Sequence, residues 1–273
     1  MNRRILSALA AVALAANIQA VEPKEIRFGV APGPYADLIL KGIKPGLEQL
    51  GYKVDLVQFQ DWVQPNLALA NGETEANLFQ HRIYLEKFSA DHGLKLSPVI
   101  RVPTAGLGIY SEKIKSLSQL KAGDEVTLPL DPTNLARSLR FLQKAGLIKL
   151  KGDVDPTKAT ERDIGANPRG LRIVPTEAAQ IPRTLGSAAI AVVSGNYAIA
   201  SGLRLSQALE LEVLDEDIKN VIAVRTEDLE KPWVKDVVKI VQSGAFRVAV
   251  ENPHDPFRSF QKPDWYVKHW GAK

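Results

Sequence analysis

A short segment that follows a predicted strand carries side chains suited to binding an anion. Asp131 is a favourable N-cap and Pro132 suits the first helical position, so a helix is predicted to begin here. Thr133 and Arg137 are four residues apart and share one face of that helix, and both are predicted to be ligand-binding residues. A carboxylate bound there would meet the helix N-terminus and the guanidinium of Arg137, while Arg140 is expected to be solvated. The same pattern fits an ordinary capped helix with an exposed arginine, and both interpretations remain open.

A second candidate site is an aromatic stretch, which consists of Trp62, Phe79, His81 and Tyr84. Polar residues interrupt the apolar pattern there, near the end of a predicted strand. Patterning alone favours a place in the core for Phe79 and Tyr84. Aromatic and polar groups together also suit the wall of a pocket for an apolar, polarisable side chain, because a thioether gains contacts between its sulfur and the rings.

Motifs of catalysis are missing from the chain. It has no Gly-x-Ser-x-Gly, no phosphate loop and no Gly-x-Gly-x-x-Gly. Its four histidines, at positions 81, 92, 254 and 269, do not have the spacing of metal ligands, and there is no cysteine. We therefore expect no catalytic residue, no metal site and no cofactor, and a binding protein rather than an enzyme.

The N-terminus has the pattern of a secretory signal peptide over residues 1–20. Two arginines precede an apolar run from Ile5 to Ala16, and the sequence turns polar at Glu22. Cleavage after Ala15 or Ala20 is expected, and removal of residues 1–20 lowers the net charge from +4 to +2. No basic cluster is interleaved with aromatic residues, so nucleic-acid binding is not expected. Because a lipid-modified cysteine is also excluded, we predict a soluble periplasmic protein.

Strand and helix patterns alternate along the remaining chain and predict the α/β class. Strands at 25–30 and 53–59 flank a helix at 35–50, which Pro45 and Gly46 are expected to kink or split, and the three elements form a parallel βαβ unit. A long helix is predicted at 232–250, followed by an irregular tail. No linker rich in glycine, serine or proline divides the chain, so we predict two lobes joined by crossing strands, with a ligand cleft between them. Residues 21–109 and 222–273 form lobe 1 and residues 110–221 form lobe 2, each a mixed, mostly parallel sheet flanked by helices.

Several motifs, in this order and spacing, resemble the methionine-binding lipoprotein family of ABC-importer substrate-binding proteins. They are FQDWVQPN at 59–66, ANLFQH at 76–81, DPTN at 131–134 with Arg137, GNYA at 195–198 and NVIAVR at 220–225. The resemblance implies a periplasmic-binding-protein fold of type 2 that closes on its ligand. It also implies a membrane permease with its own ATPase as the partner, and we expect a monomer.

The resemblance further implies roles for individual residues. Arg137 would grip the ligand carboxylate, and Asn196 and Asn220 would hold the polar end of the amino acid. Trp62, Phe79, His81 and Tyr84 would form the aromatic wall; Trp62 stands where the family often has tyrosine. We expect loss of Arg137 to weaken binding and to leave the fold intact.

The predicted function is methionine capture, of the L or the D isomer or both, for import. Another amino acid or a short methionine-containing peptide is the alternative ligand. A periplasmic hydrolase or lyase that uses the same cleft is the alternative from another class.

Overall fold

The computed structural model describes residues 25–155 and 157–271, so the predicted signal peptide lies outside the described residues. Strands and helices alternate, which confirms the α/β class. Within the described residues the strands are β1 (Glu25–Val30), β2 (Lys53–Gln58), β3 (Ala76–His81), β4 (Leu96–Arg101), β5 (Gly108–Tyr110), β6 (Glu125–Pro129), β7 (Lys149–Leu150), β8 (Ile164–Ala166), β9 (Arg172–Thr176), β10 (Ile190–Val193), β11 (Glu210–Leu211) and β12 (Asn220–Arg225).

These strands form two five-stranded sheets and one short hairpin of β7 with β8. The first sheet has the order β2-β1-β3-β12-β4 and the second β11-β5-β10-β6-β9. The two lobes are confirmed as mixed sheets, but parallel pairing does not predominate. In the first sheet β1 runs parallel to β2 and β3, whereas β12 is antiparallel to β3 and β4. In the second, β6 is parallel to β9 and β10, whereas β5 is antiparallel to β10 and β11. All these antiparallel pairs involve β5 or β12. The chain enters the second sheet through β5 and returns to the first sheet through β12.

Helices cover the sheets and bury a separate core in each lobe. They are α1 (Tyr35–Leu38), α2 (Lys44–Gln49), α3 (Gln64–Ala70), α4 (Arg82–His92), α5 (Pro132–Lys144), α6 (Gly195–Ala200), α7 (Pro232–Val241), α8 (Gly244–Glu251) and α9 (Asp264–Trp270). Phe28 and Trp233 are among the buried residues of the first core, and Leu128 and Leu139 among those of the second. Among the described residues, none of these helices has the length and apolar character needed to span a bilayer.

One helical prediction is confirmed and two need correction. As expected, the helix predicted at 35–50 is split near Pro45: a wide π-helical turn at Ile39–Ile43 separates α1 from α2, because Pro45 lacks the N–H that a continuous α-helix needs. The long helix predicted at 232–250 is two helices, since the side chain of Ser243 accepts a hydrogen bond from the N–H of Phe246 and begins a new helix. The tail predicted as irregular contains α9.

Two crossing segments join the lobes, at residues 102–107 on the way out and 212–219 on the way back. Gln261 from the C-terminal region holds both of them. Its main chain pairs with Thr104 in both directions, and its side chain accepts from the N–H of Leu214 and donates to the carbonyl of Glu212. The predicted lobe boundaries at 109/110 and 221/222 lie next to these crossings and stay a prediction.

Candidate ligand-binding cleft

A narrow cleft lies between the two lobes and is lined by residues of both. The lining includes every predicted ligand-binding residue except Thr133, together with six that the sequence reasoning did not propose for the site. The lining residues are Tyr35, Trp62, Phe79, Gln80, His81, Tyr84, Ala105, Asn134, Arg137, Ser194, Gly195, Asn196 and Asn220.

The predicted start of α5 is confirmed, and it explains why Thr133 does not line the cleft. The side chain of Asp131 accepts from the main-chain N–H of Asn134 at 3.0 Å, which is the expected N-cap. The Thr133 hydroxyl also donates to Asp131, at 3.0 Å, so it supports the cap. Burial raises the pKa of Asp131, and its hydrogen bonds to Asn134 and Thr133 oppose that rise.

Arg137 is buried and paired with Glu212, a residue that the sequence analysis did not identify. Its Nε lies 2.9 Å from Glu212 Oε1, and its Nη2 lies 2.6 Å from Glu212 Oε2. Its Nη1 donates to Asn134 Oδ1 at 3.3 Å. A guanidinium carries one N–H on Nε and a pair on each Nη, so Nη1 and Nη2 each keep one N–H beyond these bonds. Glu212 lies on the returning crossing segment, 75 residues along the chain, where no local pattern marks it.

Arg140 is not solvated as predicted. It is half-buried and lines a second depression together with Arg137 and Glu212. Burial lowers the pKa of Arg140, an effect that Glu212 opposes. The amphipathic pattern of α5 did not reveal this, because the covering residues come from the crossing segment.

His81 reaches across the cleft in one defined tautomer. Its Nδ1 accepts from the main-chain N–H of Tyr84 at 3.1 Å, so Nδ1 carries no proton. The proton is therefore on Nε2, which donates to Asn134 Oδ1 at 3.2 Å. Burial, and after it the positive charge of Arg137, lower the pKa of His81 to about 3. The ring is thus neutral in this structure.

Two further contacts join the lobes across the cleft. Asn196, on α6 of the second lobe, donates from Nδ2 to the carbonyl of Pro32 in the first lobe at 3.0 Å. The rings of Trp62 and Tyr197 lie 5.1 Å apart. Together with the bond between His81 and Asn134, these contacts hold the lobes against each other.

Asn196 and Asn220 each offer a side-chain amide oxygen, Oδ1, to the cleft. Each uses its Nδ2 on a main-chain carbonyl: Asn196 on Pro32 and Asn220 on Phe79, both at 3.0 Å. Because a carbonyl cannot donate, these bonds fix the amide orientation and leave each Oδ1 as an acceptor. Within residues 25–155 and 157–271, no protein donor reaches either Oδ1.

The other side of the cleft is aromatic. Tyr84 has edge-on contacts to Trp62 at 6.1 Å and to Phe79 at 6.3 Å between ring centroids. Its hydroxyl donates to the main-chain carbonyl of Trp62 at 3.2 Å. The cleft thus has a polar end around Arg137 and an aromatic end around Tyr84, and the described lining contains no acidic residue.

The chain has two α/β lobes, two crossings between them and a cleft with a polar end and an aromatic end. These features define a two-lobed solute-binding protein of the periplasmic type. The chain belongs to the NlpA lipoprotein family, which it matches over residues 26–265.

Individual relatives agree with this assignment. The D-methionine-binding lipoprotein MetQ of Salmonella typhi is 41% identical over 225 residues, covering 81% of this chain and 83% of that protein. The structure of a nutrient binding protein from Burkholderia cenocepacia bound to methionine is similar, with a TM-score of 0.79 and 38% identity over 83% of this chain and 95% of that chain. A periplasmic substrate-binding protein of an ABC transporter from Coxiella burnetii matches the same shares of both chains at 38% identity with a TM-score of 0.78.

The neutral state of His81 leads to a pH prediction. Its folded-state pKa of about 3 lies below the unfolded value of about 6.5, so the unfolded chain takes up the proton first as the pH falls. The contribution of neutral His81 to the free energy of unfolding is fully present above about pH 6.5 and decreases as the pH falls toward about 3. At pH 5 the loss relative to pH 8 is about 2 kcal/mol in the free energy of unfolding. His81→Asn should remove this loss.

Imidazole NMR spectra of the protein measure the same property directly. We expect His81 to show an unprotonated Nδ1 and no titration between pH 8 and pH 5. His254 is exposed and provides the comparison signal from a solvent-accessible ring. A His81 ring that titrates between pH 8 and pH 5 would contradict the assignment.

The pairing of Arg137 with Glu212 revises the expectation that loss of Arg137 leaves the fold intact. Arg137→Gln leaves a buried carboxylate unpaired, so the free energy of unfolding should fall by about 3–5 kcal/mol. The double variant Arg137→Gln, Glu212→Gln should regain most of the loss, and the exposed Arg183→Gln should change it by less than about 0.5 kcal/mol. Urea unfolding of ligand-free protein measures all three. An Arg137→Gln protein as stable as the parent would mean that the pair does not stabilise the fold.

Proposed function

We propose that this chain is the periplasmic substrate-binding protein of an ABC importer and that it captures methionine in the interlobe cleft. The observation that carries this proposal is Arg137, which is buried, held by Glu212 and still has one N–H on Nη1 and one on Nη2 toward partners. The protein works as a monomer that delivers its ligand to an inner-membrane permease with its own ATPase.

The carboxylate of the amino acid binds to Arg137. Two N–H groups on neighbouring nitrogens match the two oxygens of a carboxylate, and this bidentate geometry gives strong hydrogen bonds. Glu212 and Asn134 hold the guanidinium in place, so little conformational freedom is lost when the ligand binds.

The ammonium group binds to the Oδ1 atoms of Asn196 and Asn220. Both oxygens are left as acceptors because both Nδ2 atoms are used by main-chain carbonyls. An amino acid is a zwitterion with no net charge, and the cleft offers it a guanidinium already neutralised by Glu212 together with neutral amide oxygens. The charges of ligand and site therefore balance without an acidic residue among the described lining residues.

The side chain of the ligand lies against Trp62, Phe79 and Tyr84. Contacts between a thioether sulfur and aromatic rings contribute about 0.3–1.5 kcal/mol, which favours methionine over an aliphatic side chain of equal length. The MetQ relative and the methionine-bound neighbour support the same ligand.

Isothermal titration calorimetry tests the ligand. We expect binding of one equivalent of L- or D-methionine, and binding of norleucine weaker by up to about tenfold because it lacks the sulfur. At 100 times the dissociation constant, methionine should add about 2.7 kcal/mol to the free energy of unfolding. Binding of a different amino acid but of neither methionine isomer would refute the ligand assignment, and release of amino acids from Gly-Met would favour the hydrolase alternative.

The role of Arg137 is isolated by comparing two variants in which Glu212 is no longer charged. Glu212→Gln should keep methionine binding because the guanidinium remains. Arg137→Gln added to Glu212→Gln should weaken binding at least about thirtyfold, from a loss of about 2–5 kcal/mol. Equal affinities of the two variants would place the carboxylate elsewhere.

Export to the periplasm without a lipid anchor is the remaining part of the proposal. The chain has no cysteine that could carry the lipid, although its relatives include proteins named lipoproteins. Osmotic shock without detergent should release a mature form that begins at Val21 or Ala16, as determined by intact mass. Recovery of the uncleaved chain from the cytoplasm, or only from detergent-extracted membranes, would contradict this.

A further inference from the structure

Several buried polar atoms have no hydrogen-bond partner within the described residues, and two of them belong to residues that line the cleft. These are Trp62 Nε1 and Ser194 Oγ. Trp62 is half-buried, whereas Ser194 is only 6% exposed. A buried hydroxyl without a partner is unfavourable unless another molecule supplies the missing hydrogen bond.

Ser194 also lacks the capping hydrogen bond that is usual for a serine at its position in the fold. It is the N-cap of α6, where a serine side chain usually accepts from an N–H of the first helical turn. Here the side chain makes no capping hydrogen bond. Ser243, the N-cap of α8, does accept from the N–H of Phe246 at 3.2 Å. The two N-cap serines therefore differ, and the one that does not cap its helix is the one that lines the cleft.

The position of Ser194 is fixed close to the polar end of the cleft. The next residue, Gly195, packs so tightly on the outgoing crossing segment that a Cβ would lie 2.5 Å from the Cβ of Ala105. Glu212, which pairs with Arg137, accepts a hydrogen bond from the N–H of Leu107 on the same crossing segment. Ser194 and Arg137 are therefore both held at this segment, and both line the cleft.

We propose that Ser194 is a further ligand-contacting residue, and that its hydroxyl donates a hydrogen bond to the carboxylate that Arg137 binds. This inference rests on the proposed function. A carboxylate accepts more hydrogen bonds than the two that Arg137 has left, and the asparagine oxygens already provide acceptors for the ammonium group. The hydroxyl therefore acts as a donor here, and it adds selectivity for ligands with a carboxylate.

The test combines affinity and stability in Ser194→Ala. Because Ser194→Ala removes a hydrogen bond to a charged group, the variant should bind methionine about 10- to 100-fold more weakly than the parent. Methioninol, which lacks the carboxylate, should bind the variant and the parent protein equally. Without ligand, the variant should melt at the same temperature as the parent or higher, because the substitution removes an unpartnered buried hydroxyl and no capping bond.

Ser243→Ala is the matched control, since it removes an N-cap serine that does cap its helix. It should lower the melting temperature and leave the methionine affinity unchanged. Unchanged methionine affinity of Ser194→Ala would overturn the inference, as would an equal loss for methioninol or a lower melting temperature without ligand. If the parent protein does not bind methionine, the proposed function fails and this inference fails with it.

Discussion

A buried guanidinium must keep its partners, and this requirement connects the ligand site to the architecture around it. Arg137 lies on α5 of the second lobe, and its counter-ion Glu212 lies on the segment through which the chain returns to the first lobe. Glu212 Oε2 also accepts from the N–H of Leu107 on the outgoing segment at 3.0 Å, and its carbonyl is held by Gln261. An uncompensated charge at this depth would cost several kcal/mol. The charge that would bind the ligand is therefore fixed to the crossings about which the lobes would move.

The remaining polar groups of the cleft are arranged around that charge as neutral partners. Asp131 orients Asn134, and Asn134 Oδ1 then accepts from both Arg137 and His81. His81 is held neutral because Tyr84 donates to its other ring nitrogen. Since His81 and Asn134 belong to different lobes, as do Asn196 and Pro32, a hinge opening would break these bonds. A ligand that bridges the same lobes would compensate for part of that cost in the closed state.

The sequence predicted those features that depend on local chemistry. The start of α5 follows from Asp131 and Pro132, the aromatic wall from Tyr84 and its neighbours, and the α/β class from alternating patterns. Features that depend on distant chain segments were missed. Glu212 is brought to Arg137 by the fold, and the same segment covers Arg140. The orientation of Thr133 was missed for a different reason, because its hydroxyl serves either a cap or a ligand and the spacing is the same for both. The roles of the cleft residues toward a ligand stay predictions.

The central claim is that an amino acid lies between the lobes with its carboxylate on Arg137 and its side chain on the aromatic wall. A crystal structure of the protein with bound methionine measures this most directly. We expect the carboxylate oxygens within hydrogen-bonding distance of Arg137 Nη1 and Nη2, the ammonium at the Oδ1 atoms of Asn196 and Asn220, and the sulfur against Tyr84 and Trp62. A methionine bound outside the cleft, or bound in it with its carboxylate away from Arg137, would contradict the account.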